Sequence, residues 1–208
     1  MSAPVIGTAL ASESPAKRAL DLIVGGAALF LSTPFWVAIG LAILLEDGWP
    51  ILYPQRRAGR GGRAFTVYKF RSMIRDAEKL TGPVLAATDD PRITQVGRVL
   101  RKMALDEIPQ LLSIFKGDMS WVGPRPERPE FVAELVRTIP GYNDRHAIRP
   151  GLTGLAQVYG RYHTDPAEKL KYDLHYIKHR NLLTDFRLFV QSWLITFKAK
   201  WDATTEAR

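Results

Sequence analysis

Residues 101–110 read RKMALDEIPQ, and the rest of the chain is organised around this stretch. Two cations precede two adjacent carboxylates, Asp106 and Glu107, and Pro109 follows before the apolar residues 111–115. This order predicts an acidic pair at the beginning of a helix, with basic side chains within reach. Such a pair can bind a divalent cation beside a phosphate, or it can simply cap the helix.

The capping alternative concerns Asp106. An N-cap side chain accepts a hydrogen bond from the backbone N–H of the N2 or N3 residue. With Asp106 as the N-cap, N3 is Pro109, which has no N–H, whereas the N2 amide of Ile108 remains available. The interpretation of Asp106 as an N-cap is therefore weakened, but it stays open. A carboxylate with spare lone pairs can instead attack phosphorus or bind a metal ion, and Arg101 can neutralise it.

The composition restricts the classes of function. The 208 residues are enough for one domain with a core, and the lack of cysteine excludes disulfides, thiolate metal sites and cysteine nucleophiles. A net charge of +8 favours polyanionic partners: nucleic acid, an anionic membrane surface or phosphorylated small molecules. No helix-turn-helix, zinc finger or RNP-type aromatic motif supports binding of nucleic acid. His175 and His179 have zinc-like spacing, but without a His-Glu-x-x-His motif a metal role there has little support.

Residues 22–45 contain no charged side chain. As a helix these 24 residues would measure ~36 Å, enough to cross a bilayer core. Residues 32–34, Ser-Thr-Pro, interrupt the run near its middle, where proline bends or breaks a helix. Lys17 and Arg18 precede the run, so a positive-inside rule assigns this end to the cytoplasm. Four arginines after the run assign the other end to the same side: Arg56, Arg57, Arg60 and Arg63. Two interpretations stay open, a kinked transmembrane helix and a helix broken at Ser32 and Pro34 that enters and leaves on one face.

A basic β-hairpin is predicted after the membrane segment. Residues 51–53 and 64–70 are rich in β-branched, aromatic and aliphatic residues, and a glycine-rich turn at 57–63 joins them. Lys69 and Arg71 lie two residues apart at the end of the second strand, so their side chains share a face. Either they line a solvated edge, or they bind an anion.

Two further cations are directed by their surroundings in the sequence. Asp90 followed by Pro91 predicts the start of a helix that brings Arg101 and the acidic pair into place. Arg125 lies between Pro124 and Pro126, which restrict its backbone, so its guanidinium is aimed at little entropic cost. A rigid linker with solvated charges is the alternative for this segment.

The last helix is predicted to begin at Thr184 or Asp185. Its apolar stripe consists of Phe186, Phe189, Val190, Trp193, Leu194 and Phe197, with Trp201 beyond. Such a stripe normally packs on a core. Beside Arg187, Lys198 and Lys200 it also suits a helix lying in a membrane interface.

Taken in order, these segments resemble the bacterial sugar transferases, a family of monotopic phosphoglycosyl transferases that begin glycan assembly on a polyprenol phosphate carrier. The similarity extends from about Lys17 to Lys200 and corresponds to the minimal form of the family. The resembling segments after the broken apolar run are YKFRSM at 68–73, Gly97 to Arg101, LDEIPQ at 105–110, GPRP at 123–126, RPGLTG at 149–154, Gln157-Val158 and Asp173.

The resemblance implies an α+β, mostly helical fold with one cytosolic catalytic domain. Residues 1–16 would form a flexible tail, 17–47 a re-entrant membrane hairpin with a break at Ser32 and Pro34, and 48–208 the catalytic domain, which carries the basic β-hairpin and interfacial amphipathic helices. The domain would lie on the cytoplasmic face of the bacterial inner membrane.

The resemblance also implies the reaction. Asp106 would attack the sugar-bearing phosphate of a nucleoside diphosphate sugar, usually UDP-linked, and UMP would leave. The phosphosugar would then pass to undecaprenyl phosphate, as the first membrane step of exopolysaccharide, O-antigen or glycoconjugate assembly. Glu107, with Asp106, would bind Mg²⁺. Four residues match basic positions around the phosphates: Lys69, Arg71, Arg101 and Arg125. Downstream glycosyltransferases are further possible partners, and the class of membrane-anchored basic binding proteins is the alternative.

Overall fold

The computed structural model describes residues 10–79, 82, 90–160 and 164–197. Of Phe197 it describes the backbone only. The helices are α1 (Pro15–Asp47), α2 (Gln95–Lys102), α3 (Leu111–Lys116), α4 (Pro129–Thr138), α5 (Leu155–Tyr159), α6 (Pro166–His179) and α7 (Leu182–Phe197). The strands are β1 (Leu52–Ala58), β2 (Ala64–Phe70), β3 (Ser120–Val122) and β4 (Gly151–Thr153). Short 3-10 helices cover Arg60–Gly62, Leu105–Gln110 and Tyr142–Ala147. The predicted mostly helical α+β fold is confirmed.

Helix α1 is continuous over its 33 residues, with Pro34 inside it. The helix-break-helix predicted at Ser32 and Pro34 is therefore wrong as a break in the secondary structure. The Ser32 hydroxyl donates to the carbonyl of Leu29 at 2.9 Å, and Thr33 Oγ1 donates to the same carbonyl at 3.4 Å. Trp36 Nε1 donates in turn to Ser32 Oγ at 3.2 Å. These local hydrogen bonds strengthen the turn in which proline removes a backbone donor.

One face of α1 packs on the rest of the molecule along most of the helix. The buried positions recur at helical spacing: Asp21, Gly25, Ser32, Ile39, Gly40 and Ile43. The opposite face is apolar and exposed, with Phe30 80% and Leu45 86% exposed. By length and composition α1 could cross a membrane. A monotopic arrangement is equally compatible with a helix that has one protein-facing side and one apolar open side.

Both ends of α1 bind the same body of the protein. Near its beginning, Lys17 Nζ lies 2.7 Å from the Asp185 carboxylate in α7. At its end, Asp47 lies 3.2 Å from the Arg71 guanidinium just after β2. The side chain of Glu46 also accepts the backbone N–H of Gln95, at the start of α2, at 2.6 Å.

The described part of the N-terminal tail is hydrogen-bonded to the domain. The Ala11 N–H donates to the carbonyl of Ala147 at 3.0 Å, and Arg180 Nη2 donates to the carbonyl of Ser12 at 2.9 Å. Glu13 accepts the Arg149 N–H at 2.8 Å and pairs with the guanidinium of that arginine. α1 begins at Pro15, within the predicted tail 1–16, and residues 11–13 make these contacts with the domain, while the flexibility of the tail stays a prediction. Residues 1–9 lie outside the described part.

The predicted β-hairpin is confirmed. Strands β1 and β2 pair antiparallel from Leu52 opposite Phe70 to Ala58 opposite Ala64. β2 has the predicted bounds, whereas β1 continues beyond the predicted residue 53, through the polar residues up to Ala58. Val67 and Phe70 on β2 are buried, so the strand that carries Lys69 is anchored in the core.

Strands β3 and β4 form a parallel pair that depends on glycine. Ser120 pairs with Gly151, and Val122 pairs with Thr153. A Cβ on Gly151 would lie 2.1 Å from the backbone nitrogen of Gly123, and one on Gly154 would lie 2.2 Å from the Gly123 carbonyl oxygen. Because glycine has no side chain, the backbones of 123–126 and 149–154 can approach this closely.

Helix α7 begins at Leu182, slightly before the predicted residues 184–185. Leu188 is buried, and Phe189 packs edge-on against Trp121 with ring centroids 5.2 Å apart. The other face of α7 is exposed and apolar, at Leu182, Leu183, Phe186, Val190, Trp193 and Leu194. The stripe is thus divided between core and surface. Residues Lys198, Lys200 and Trp201 lie outside the described residues, as does the side chain of Phe197.

Candidate active site

A sharp change of direction after α2 presents the acidic pair. α2 begins at Gln95, later than predicted, because Thr94 is the N-cap and its hydroxyl accepts the Gly97 N–H at 2.9 Å. Asp90 accepts the N–H of Arg92 instead, at 3.0 Å. α2 ends at Lys102, and Ala104 takes a left-handed conformation (φ 53°) before the 3-10 helix Leu105–Gln110 begins.

Asp106 does not cap this 3-10 helix. The N-cap position is Ala104, and no side-chain capping hydrogen bond is made there. Asp106 lies in the first turn and is 8% exposed, with Lys69 Nζ 4.0 Å from its carboxylate. The structure therefore removes the capping alternative and leaves a buried carboxylate with a distant cation.

Glu107 is bound closely by two cations from different elements. Lys69 Nζ, on β2, donates to Glu107 Oε1 at 2.7 Å. Arg125 Nη2, on the segment after β3, donates to the same oxygen at 2.5 Å, and Nη1 lies 3.4 Å from Oε2. The side chain of Arg125 is still 41% exposed, so part of its guanidinium can contact a ligand. Two separate parts of the chain, β2 and the segment after β3, thus converge on Glu107.

The two carboxyl groups have opposite pKa shifts. Burial raises the pKa of Asp106 above its usual value, and the neighbouring charge of Glu107 adds to this rise against the attraction of Lys69. Burial would also raise the pKa of Glu107, but Arg125 and Lys69 hold that pKa well below the usual range. Glu107 is therefore a persistent anion, and Asp106 is the more basic carboxylate. Such a split between neighbours is typical of sites where two carboxylates have different tasks.

Arg101 and Arg71 occupy different positions relative to this pair. Arg101 Nε donates to Ser72 Oγ at 2.9 Å, and its charge lowers the pKa of Asp106. Arg71 is directed elsewhere: Nη2 donates to the carbonyls of Asp47 at 3.0 Å and Gly48 at 2.6 Å, at the end of α1. The structure thus brings Lys69, Arg101 and Arg125 to the acidic pair, while Arg71 caps α1 and its role at phosphate stays a prediction.

Two arginines near the site were missed by sequence reasoning. Arg57, assigned to the basic turn, lies at the end of β1, and its Nη1 donates to the carbonyl of Pro126 at 2.9 Å. Burial and the charge of Arg125 lower the pKa of Arg57 to about 10. Arg145 is 5% exposed and donates to the carbonyl of Arg125 at 2.9 Å. No local pattern marks either residue, since both contacts depend on how distant segments pack.

The carboxylate oxygens of the acidic pair are of the type that Mg²⁺ binds. That ion is usually bound by one or two carboxylates together with waters and substrate phosphates. Asp106 and Glu107 supply two carboxylates of this type, and among the described residues Glu107 Oε2 makes only the long contact with Arg125. In the described part of the chain no group of three or more potential metal-ligating side chains occurs. The site therefore suits a metal ion that arrives with a phosphate better than a metal ion bound by protein alone.

Comparisons with known proteins point to one protein family. The family model described as bacterial sugar transferase matches residues 12–199. The chain is 42% identical over 172 residues to a UDP-N-acetylgalactosamine-undecaprenyl-phosphate N-acetylgalactosaminephosphotransferase of Aeromonas hydrophila, covering 81% of this chain and 40% of that protein. It is 40% identical over 180 residues to the exopolysaccharide production protein PSS of Rhizobium leguminosarum bv. phaseoli, covering 83% of this chain and 90% of the relative.

A third relative is the UDP-glucose:undecaprenyl-phosphate glucose-1-phosphate transferase of Escherichia coli (strain K12). It is 38% identical over 178 residues, which cover 83% of this chain and 38% of the relative. The chain therefore spans well under half the length of the Aeromonas and Escherichia proteins and most of the length of the Rhizobium protein.

Proposed function

This chain belongs to the bacterial sugar transferase family, and we propose that it transfers a sugar 1-phosphate from a nucleoside diphosphate sugar to undecaprenyl phosphate. The relatives of Aeromonas hydrophila and Escherichia coli are named for transfer to undecaprenyl phosphate, which supports this acceptor, and both names contain a UDP-sugar. The observation that carries the proposal is the buried, basic carboxylate of Asp106 beside an anionic Glu107 bound by Lys69 and Arg125.

In the first step, Asp106 is the nucleophile. An oxygen of its carboxylate forms a bond to the sugar-bearing phosphorus of the donor, and the bond between that phosphorus and the bridging oxygen breaks. The electron pair leaves with the nucleoside monophosphate, which is UMP for a UDP-sugar. The raised pKa of Asp106 fits this role, because a more basic carboxylate is a better nucleophile.

In the second step, a phosphate oxygen of undecaprenyl phosphate attacks the same phosphorus. The bond to Asp106 breaks, the carboxylate is regenerated, and the product is a lipid-linked diphosphate sugar. No electron is gained or lost in either step. Transfer through an enzyme-bound intermediate allows the soluble donor and the lipid acceptor to use one site in turn.

The cations around the pair stabilise charge on the transferring phosphoryl group. Arg125 is suited to this task because its side chain is 41% exposed while its guanidinium is fixed to Glu107. Lys69 bridges the two carboxylates, at 4.0 Å from Asp106 and 2.7 Å from Glu107. Arg101 adds a third positive charge close to Asp106.

Mg²⁺ would be bound by Glu107 and Asp106 together with the substrate phosphates. When bound, it would neutralise charge on the phosphate oxygens. The role of the chain is to keep Glu107 ionised, which Lys69 and Arg125 do by lowering its pKa.

The membrane arrangement we propose is monotopic, on the cytoplasmic face of the inner membrane. It is supported by the attachment of both ends of α1 to one domain, through Lys17–Asp185 and Asp47–Arg71. The exposed apolar faces of α1 and α7 supply surfaces for lipid. A lipid-borne phosphate could then approach the site from the membrane. A binding protein for nucleic acid or anionic lipid would not need two neighbouring carboxylates with opposite pKa shifts.

The test of the nucleophile is Asp106→Asn. We expect release of UMP from UDP-sugar and formation of the lipid product to fall to background, because the amide cannot form the phosphoryl bond, while the protein still folds. Asp118→Asn is the matched control, since Asp118 is an exposed aspartate on the same part of the chain and should leave turnover unchanged. Product formation near the normal rate by Asp106→Asn would contradict the assignment. Trapping of a phosphosugar adduct on Asp106 would support it.

A further inference from the structure

The segment 123–127, which carries Arg125 to Glu107, is hydrogen-bonded in an unusually complete way. Its four consecutive carbonyls from Pro124 to Glu127 each accept a hydrogen bond from a different donor. The donors are Gly151 N (2.9 Å) to Pro124, Arg145 Nη2 (2.9 Å) to Arg125, Arg57 Nη1 (2.9 Å) to Pro126, and Ala58 N (2.8 Å) to Glu127. Since Pro124 and Pro126 have no N–H, this backbone is fixed mainly through its carbonyls, and at its start through the Gly123 N–H, which donates to the Thr153 carbonyl at 2.9 Å.

Arg145 is the donor to the carbonyl of Arg125 itself, and it is firmly fixed. It is 5% exposed, and Nε and Nη2 lie 2.9 Å and 2.7 Å from one oxygen of Asp173, which is 1% exposed. Nη1 donates to the hydroxyl of Tyr142 at 2.9 Å. The guanidinium thus reaches a carboxylate, a hydroxyl and the Arg125 carbonyl at once, which a lysine ammonium cannot reproduce in the same geometry.

Packing alone does not explain why Arg145 and Asp173 are buried as an ion pair. A buried ion pair loses hydration that apolar side chains of similar volume would not lose, so it adds little net stability. What an ion pair supplies, and apolar side chains do not, is a donor with a defined direction. Here Arg145 donates to the backbone carbonyl of Arg125, and the side chain of Arg125 in turn donates to Glu107.

We propose that Arg145, oriented by Asp173, is a positioning residue that fixes the Arg125 backbone and thereby aims the Arg125 guanidinium at Glu107 and the reacting phosphate. The proposal deepens the proposed function and rests on it for its catalytic consequence. Arg145 itself touches neither carboxylate of the acidic pair in the described contacts. Accuracy of this kind matters, because a displacement of about 1 Å at a catalytic group can cost roughly 10²-fold in rate.

The first test is a double-mutant cycle with Arg145→Lys and Arg125→Ala. We expect Arg145→Lys to lower kcat/KM by roughly 10- to 100-fold in the otherwise native protein. In the Arg125→Ala background the same change should cost less than about 3-fold, because the side chain that it positions is gone. Equal losses in both backgrounds would overturn the proposal, since a general structural defect adds independently of Arg125.

Arg180→Lys is the matched control for the cycle. Arg180 also donates to two backbone carbonyls, those of Ile177 and Ser12, and neither lies in segment 123–127. Any loss of turnover that Arg180→Lys causes should be the same with and without Arg125. A control that also depended on Arg125 would mean that the cycle does not isolate positioning, and would count against the proposal.

The second test does not depend on turnover. The Ala58 amide donates to the Glu127 carbonyl, so its hydrogen exchange reports how firmly segment 123–127 is fixed. Arg145→Lys should accelerate this exchange several-fold relative to the native protein, whereas Arg180→Lys should not. An unchanged Ala58 rate in Arg145→Lys would overturn the proposal even where Arg125→Ala is too slow for a cycle. If the native protein transfers no phosphosugar, the proposed function fails, and the exchange result still decides whether Arg145 positions this segment.

Discussion

Asp106 and Glu107 are neighbours in the sequence, but their carboxyl groups have different surroundings. Glu107 contacts two cations at 2.7 Å and 2.5 Å, whereas Lys69 approaches Asp106 only to 4.0 Å. Burial acts on both, so the difference in pKa arises from the unequal distances to positive charge. At this scale the residue types and their order were predictable, but the unequal pairing was not, because it depends on Lys69 and Arg125 from distant segments.

His146 gives a prediction about pH and stability. It is 5% exposed, and burial together with the charge of Arg145 lowers its pKa from 6.5 to about 4. The unfolded chain therefore binds a proton between those values that the folded chain does not, so the free energy of unfolding decreases as the pH falls through 6.5 toward 4. Between pH 7 and pH 5 this group should account for a loss of about 2 kcal/mol.

Chemical denaturation of native protein and His146→Gln, over that pH range, measures the effect. The variant should lose stability less steeply on acidification, whatever its stability at pH 7. Parallel curves for the two proteins would show that His146 is not buried in its neutral form.

At the scale of secondary structure, α2 and the end of β2 form the support of the acidic pair. The Thr94 N–H donates to the Ser72 carbonyl at 3.2 Å, and Arg101 Nε donates to the Ser72 hydroxyl at 2.9 Å. This close approach requires glycine at position 97, where a Cβ would lie 2.0 Å from the Ser72 carbonyl oxygen. β2 itself was predictable from its β-branched and aromatic residues, but the start of α2 was not, because Thr94 competes successfully with Asp90 as the cap.

Gly97→Ala should therefore destabilise the protein by roughly 1–3 kcal/mol, because the backbone oxygen of Ser72 cannot rotate away from the new methyl group. It should also reduce turnover in the fraction that stays folded, since α2 leads directly to Asp106. Thermal unfolding and a UMP-release assay on the same samples measure both effects.

Gly26→Ala is the control for this change. Nothing lies within 4 Å of a Cβ at Gly26, inside α1, so alanine there should be neutral or stabilising by up to about 1 kcal/mol. A Gly97→Ala protein as stable as Gly26→Ala would mean that α2 and β2 are not in close contact.

At the scale of the whole molecule, α1 is part of the domain as well as an apolar surface. Asp21 accepts hydrogen bonds from Ser120 Oγ and from the Trp121 N–H, both at 3.1 Å, so the beginning of α1 is joined to β3. The far end packs Ile39 and Ile43 with Phe70 and Leu100. A helix whose two ends bind one body would have to detach from it at one end to cross a bilayer.

The membrane arrangement can be tested with single cysteines, because the native chain has none. Ser14→Cys and Arg56→Cys place exposed thiols just before α1 and after it. In intact cells both should be shielded from a membrane-impermeant thiol reagent, and both should react in inverted vesicles. Labelling of either one from outside intact cells would mean that α1 spans the membrane.

The sequence by itself determined the features that depend on residue type and short spacing. These are the acidic pair, the cations Lys69 and Arg125, the apolar character of α1 and the bounds of β2, since local propensity and periodicity are enough to specify them.

The tertiary structure alone decided which groups meet. It directed Arg71 to the end of α1, kept α1 continuous through Pro34, and brought Arg145 to Asp173, 28 residues later in the chain, and to the Arg125 carbonyl. The physical reason is that a buried charge takes whichever partner the packing of distant segments supplies, and no short sequence pattern records that choice.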